Sequence, residues 1–83
     1  PAVLLSAHAE EDLGRIVEFL LASERLEILA RHPLIGRPAE GGLHELVISR
    51  GKTGYCALYE FDVAAGLVVV HAIRHQREAG WRE

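Results

Sequence analysis

The sequence predicts an α+β fold of order β-α-α-β-β-β, an antiparallel sheet with a helical hairpin packed on one face. Three observations carry this. Apolar residues recur at helical spacing from Ala9 to Leu20, then in a different phase from Leu26 to Ala30. A run of turn formers, Pro33, Gly36, Pro38, Gly41 and Gly42, closes the helical part. After it come three apolar, strand-like stretches joined by short turns, which favours hairpins between neighbours. The 83 residues are expected to form one domain over 1–83, with room for a single core.

Pro1 to Leu5 reads as a short strand. Ser6 then stands as a helix cap, and Glu10, Glu11 and Asp12 fall in the first turns, where carboxylates suit the helix dipole. Ala9, Leu13, Ile16, Val17 and Leu20 give an amphipathic helix from Ala7 to about Ala22. A second helix covers about Glu24 to Arg31, with Leu26, Leu29 and Ala30. At about 100° per residue the two apolar stripes point roughly 160° to 220° apart, so the spacing predicts a break near Ala22 to Arg25. His32-Pro33 ends the second helix, because the residue before proline is pushed out of the helical region.

Leu43 to Ser49 is a predicted strand, Arg50 to Gly54 a turn, Tyr55 to Phe61 a strand and Asp62 to Gly66 a hairpin loop. Leu67 to His75 is the last strand, and its near-continuous apolar run predicts a central strand covered on both faces. Gln76 to Glu83 forms a tail, with one helical turn. Leu13, Ile16 and Leu20 are expected to be buried against Val69 and Ile73, or against Val68 and Val70. Tyr55, Tyr59 and Phe61 alternate toward the core.

Composition removes several function classes. The longest apolar runs fall far short of the roughly 20 residues of a membrane span, so no membrane association is expected. Pro1 to Leu5 lacks the features of a signal peptide, and the expected compartment is the cytoplasm. Cys56 is the single cysteine; it reads as a small core residue. A net charge of −3 and an isoelectric point near 5.9 argue against a general nucleic-acid binder. The distribution is uneven: six acids lie between Glu10 and Glu27, whereas Arg31 to Arg82 holds seven of the nine basic residues. The histidines show no metal-ligand spacing, and neither metal nor cofactor is expected. Gly51-Lys52-Thr53-Gly54 lacks the upstream glycine and following helix of a phosphate-binding loop, and reads as a hairpin turn. What remains is the charged end of the last strand, Arg74, His75 and Arg77, a group suited to an anion or a partner surface.

The order of elements and several motifs resemble the RelE/ParE superfamily of type II toxin–antitoxin toxins, the ParE-like subgroup in particular. The matching pieces are Ala9-Glu10-Glu11-Asp12-Leu13 with Ile16, and Leu29 through Pro38. Leu43-His44-Glu45-Leu46 follows, with His44 where arginine is usual, and Tyr55–Phe61 and Val69–Arg77 complete the series. The family's helical hairpin is normally longer than Phe19 to Leu29 allows, which implies a truncated hairpin or, the favoured reading, a segment absent from the chain as given.

The resemblance implies a growth-inhibiting toxin of a plasmid stabilisation system, neutralised by a cognate antitoxin protein laid across its apolar surface as an extended segment and an amphipathic helix. It also implies a homodimer or a heterotetramer with that antitoxin. Two target classes follow. A ParE-like toxin binds DNA gyrase and needs no chemistry, with Arg50, Lys52, Arg74, His75, Arg77 and Trp81 as target-binding residues. A RelE-like toxin is an endoribonuclease that cuts mRNA on the ribosome; Glu45 would then be the base, Arg50 and Lys52 would hold phosphate, Arg74, His75 and Arg77 would supply cations and acid, and Trp81 would stack a base. Sparse lysines, the acidic isoelectric point and the lack of a clear acid–base pair favour gyrase binding, and whether the protein is an enzyme stays open. A relic that only binds antitoxin is the third alternative.

Overall fold

β1, Ala2–Leu5, runs directly into α1, Ala7–Gly14, with Ser6 between them as the cap. In the computed structural model, which describes residues 1–48 and 54–75, Ser6 Oγ accepts the Ala9 N–H at 3.0 Å. That satisfies an amide the first turn leaves open. α1 has only 8 residues. Arg15 and Ile16 donate back three residues, to the Asp12 and Leu13 carbonyls, at 3.1 Å each. The chain restarts as α2, Phe19–Leu26, and tightens into a 3₁₀ turn, Glu27–Ala30.

The helical break therefore falls at residues 15–18, ahead of the expected Ala22 to Arg25, and no helix runs unbroken from Ala7 to Ala22. Gly14 followed by the β-branched pair Ile16 and Val17 is a poor helix interior, and the tight turn after Asp12 resets the phase. The reset redistributes the predicted stripe. Ile16 is buried and Leu13 half-buried, as expected, but Leu20 is 73% exposed and Val17 94%. In α2 and the 3₁₀ turn, Ala22, Leu26 and Leu29 lie four and three residues apart and are all buried.

The turn-rich segment that follows contributes a two-residue strand, β2, Arg37–Pro38, where only turns were expected. Then come β3, His44–Val47, β4, Tyr55–Asp62, and β5, Leu67–His75. The strand order is β1-β5-β4-β3-β2. From β2 to β5 neighbours are antiparallel, but β1 lies parallel to β5, from Ala2 opposite Leu67 to Leu5 opposite Val70. The sheet is mixed and not antiparallel throughout. The helical layer between β1 and the other strands removes the short hairpin that would have forced an antiparallel neighbour.

One face of this sheet meets the helices. Ala57 and Tyr59 of β4, Val68, Val70 and Ile73 of β5, and Leu46 of β3 pack there with Ala9, Ile16, Leu26 and Leu29. Val70 and Ile73 are three residues apart and both face the helices, because the pairing slips between Leu58 and Tyr59 and leaves His71 as an extra residue on β5. β5 is central in the order, but the helices cover one of its faces only. Val68 and Val70 are fully buried beneath them, whereas Leu67 and Val69 are half-buried on the other side. Among the described residues no helix is long and apolar enough to cross a membrane.

Candidate functional site

β1 accompanies β5 only as far as Val70. Beyond it, the backbone of β5 on that side has no strand neighbour among the described residues, and Ser6 and α1 take over. The Ser6 N–H donates to the Val70 carbonyl at 2.9 Å, and Ser6 Oγ donates to the His71 carbonyl at 3.1 Å. Asp12 Oδ2 accepts the buried Ile73 N–H at 2.9 Å. Backbone groups that a strand would have paired are thus met by the Ser6 amide and by the Ser6 and Asp12 side chains, which also keeps the edge from pairing with another chain.

Asp12 is the one buried charged residue among those described, and its other oxygen is also engaged. Arg15 donates to Oδ1 at 2.9 Å, and His8 Nε2 lies 3.5 Å from Oδ2. His8, Asp12 and Arg15 stand four and three residues apart, on one face of the first helical stretch. They wall a cleft of about 520 Å³ whose opposite side is Tyr55, Arg74 and His75 and whose base is Ile16 and Ile73.

Arg74 and His75 end β5 as the sequence predicted, but they part to opposite faces. His75 pairs with Tyr55 on the helical side, its ring edge-on at 5.4 Å. Arg74 pairs with Cys56, whose neighbour on β3 is Val47, on the helix-free side. Glu45 shares that side and is nearly buried; Arg37 Nε donates to its Oε1 at 3.1 Å. Cys56 Sγ lies 3.9 Å from the other carboxylate oxygen. Burial pushes the Cys56 thiol from its ordinary 9.0 up to about 11, with the Glu45 carboxylate adding to the rise and Arg37 and Arg74 opposing it. A thiol so held is not a nucleophile at neutral pH.

Of the predicted site residues, the structure brings Glu45 and Arg74 to one face and sends His75 to the other. Arg50, Lys52, Arg77 and Trp81 lie outside the described residues. The described ends of β3 and β4 bracket residues 49–53, and the Ile48 N–H donates to the Tyr55 carbonyl at 2.8 Å. Tyr55 is the partner of His75. The β3–β4 connection therefore leaves from and returns to the same end of the sheet as the end of β5.

Sequence reasoning missed Asp12, Arg15 and Arg37 as contributors here. The three-residue spacing of Asp12 and Arg15 was a visible signal for an ion pair; the Arg37–Glu45 pair had none, since it depends on β2 forming. A further anchor holds that strand. The Gly36 N–H donates to the buried Tyr59 hydroxyl at 2.9 Å, and a Cβ on Gly36 would sit 2.7 Å from both the Glu45 carbonyl and the Tyr59 hydroxyl. Only glycine lets the turn lie this close to the sheet. Burial raises the Tyr59 phenol above its usual range, with the Gly36 N–H pulling it back. His44 stacks on the same ring at 5.5 Å.

Comparison with known proteins agrees with this architecture. A family model described as ParE toxin of type II toxin–antitoxin system, parDE, matches residues 3–80. The chain is similar in fold to a chain of the intact RelBE toxin–antitoxin complex of E. coli, at TM-score 0.72 and 13% identity, covering 88% of this chain and 93% of that one. It is also similar to a chain of the RelBE2 toxin–antitoxin complex of Mycobacterium tuberculosis, at TM-score 0.70 and 28% identity, covering 89% and 95% respectively. Among curated proteins none matches it by sequence.

Proposed function

Because the chain belongs to the ParE toxin family of type II toxin–antitoxin systems, we propose that it arrests growth by binding DNA gyrase, without chemistry of its own. One observation carries this reading. Among the described residues, the acid and base that RNA cleavage would need do not converge: Glu45 is held by Arg37 on the helix-free face, and His75 lies beside Tyr55 on the opposite one. A general base must reach the proton it takes while the acid reaches the leaving group, on one substrate. Cations at a strand end suit attachment to a surface. The target-binding residues are then Arg50, Lys52, Arg74, His75, Arg77 and Trp81.

A cognate antitoxin is the second partner. The solved neighbours are toxin–antitoxin complexes, and Val17, Phe19, Leu20 and Leu21 leave apolar surface uncovered on the helical layer. The alternative, a ribosome-dependent mRNA endoribonuclease, draws on Arg37, Glu45 and Arg74 sharing one sheet face. Plasmid supercoiling by purified gyrase, run beside a translation extract, separates the two. Gyrase inhibition by the wild type, lost when Arg74→Ala and Arg77→Ala are combined while antitoxin binding stays, supports the proposal. Site-specific mRNA cleavage that His75→Ala or Trp81→Ala abolishes moves the protein to the ribonuclease class.

A further inference from the structure

The cleft beside the end of β5 has a cationic arm that the strand does not supply. Arg15 donates to Asp12 Oδ1 at 2.9 Å, yet 69% of its side chain is exposed. A guanidinium carries five N–H donors in a rigid fork, so the bond to Asp12 fixes its direction and leaves other donors facing outward. Asp12 offsets one positive charge of this rim, but the lining holds two arginines, Arg15 and Arg74, against that single carboxylate, which is buried and already accepts the Ile73 N–H and the Arg15 guanidinium.

The remaining lining narrows the ligand. Ile16 and Ile73 form an apolar base and Tyr55 an aromatic wall, a setting for the aliphatic stem of an acidic side chain with its carboxylate at the rim. A nucleic-acid backbone would meet a chain of net charge −3, which disfavours it. The geometry points to Arg15 as a target-binding residue and to Asp12 as its positioning residue: the cleft seats one carboxylate side chain projected by a protein target, gripped between Arg15 on the helical side and the Arg74–His75 end of β5. This rests on the protein-binding reading above and adds to it a ligand class and a second element.

The test uses the full chain with Arg15→Glu, Arg15→Leu, Arg15→Lys and Asp12→Asn. Four properties are measured: growth arrest, inhibition of gyrase supercoiling at several salt concentrations, affinity for the antitoxin encoded beside it, and thermal stability. Arg15→Glu is expected to raise the half-inhibitory concentration about tenfold or more and to flatten its salt dependence, with antitoxin affinity unchanged and only a small drop in melting temperature from the lost Asp12 pair, a drop that Arg15→Leu shares. Arg15→Lys restores part of the loss. Asp12→Asn keeps an acceptor for Ile73, so that amide stays protected from hydrogen exchange while inhibition weakens. Arg15→Glu with wild-type inhibition overturns the inference, as does a loss shared equally by antitoxin binding and stability. Wild-type mRNA cleavage that Arg15→Glu abolishes makes the ligand a phosphate and overturns the carboxylate assignment. Wild-type growth arrest with gyrase unaffected fails the gyrase reading alone; Arg15→Glu then still decides, since persistent arrest removes Arg15 from the site.

Discussion

The two halves of β5 are built by different means. From Leu67 to Val70 the strand lies between β1 and β4, with Val68 and Val70 fully buried under the helices. From His71 to His75 its one strand neighbour among the described residues is β4, and Ser6 and Asp12 stand in on the other side. The first half is held by apolar burial, which is strong and indifferent to direction. The second is held by a few directional bonds, which set where Arg74 and His75 stand without adding much to the core. One strand thus serves as scaffold at one end and as a mount for charged side chains at the other.

Substitutions can break this division, beginning with the scaffold. Leu29→Ala, at a fully buried position against it, should destabilise by about 2–5 kcal/mol in chemical denaturation; Ile16→Ala should fall in the same range. A loss below about half a kcal/mol would show that the helical layer does not cover β5. Gly36→Ala should cost about 1–3 kcal/mol, since the new methyl meets backbone and the Tyr59 hydroxyl with little room to give.

The directional half should respond in position more than in stability. Asp12→Ala leaves the Ile73 N–H without its acceptor, at about 1–3 kcal/mol. Its sharper mark is faster hydrogen exchange at Ile73 than at Val68 or Val70, read by amide NMR. Equal protection at all three would dissolve the distinction between the halves.

Cys56 reports on the helix-free face through pH. Its thiol is raised to about 11 in the folded protein, so the folded state keeps a proton that the unfolded chain loses near 9. The contribution to stability is complete below pH 9 and is lost as pH rises through 11. Alkylation at pH 8 should be slow in the native protein and fast in urea. The smallest effect belongs to Leu20→Ser, within about 0.5 kcal/mol, because that side chain is exposed. Weakened antitoxin binding by the same variant would place the partner on the helical layer.

Much of the scaffold was legible in the sequence. The bounds of β5, the Ser6 cap, the burial of Cys56 and the inward alternation of Tyr55 and Tyr59 follow from patterns within a few residues. The helical break was legible in kind, from two apolar stripes out of phase, but Gly14 placed it earlier than the stripes implied. The candidate site was legible only as a list. Arg74 and His75 were identified as neighbours, whereas their separation onto two faces requires knowing that β4 runs beside them.

The sequence by itself determined the α+β class, the succession of helices and strands, and the concentration of charge at one strand end. Each of these is written in local spacing, because periodicity, caps and turn residues act between near neighbours. The tertiary structure alone decided the parallel direction of β1, the existence of β2 and the pairing of Arg37 with Glu45. It also decided the closure of β5 by Asp12, 61 residues away from Ile73. Those depend on which distant segments meet, and a buried carboxylate gains its role only when packing delivers the backbone N–H that needs it.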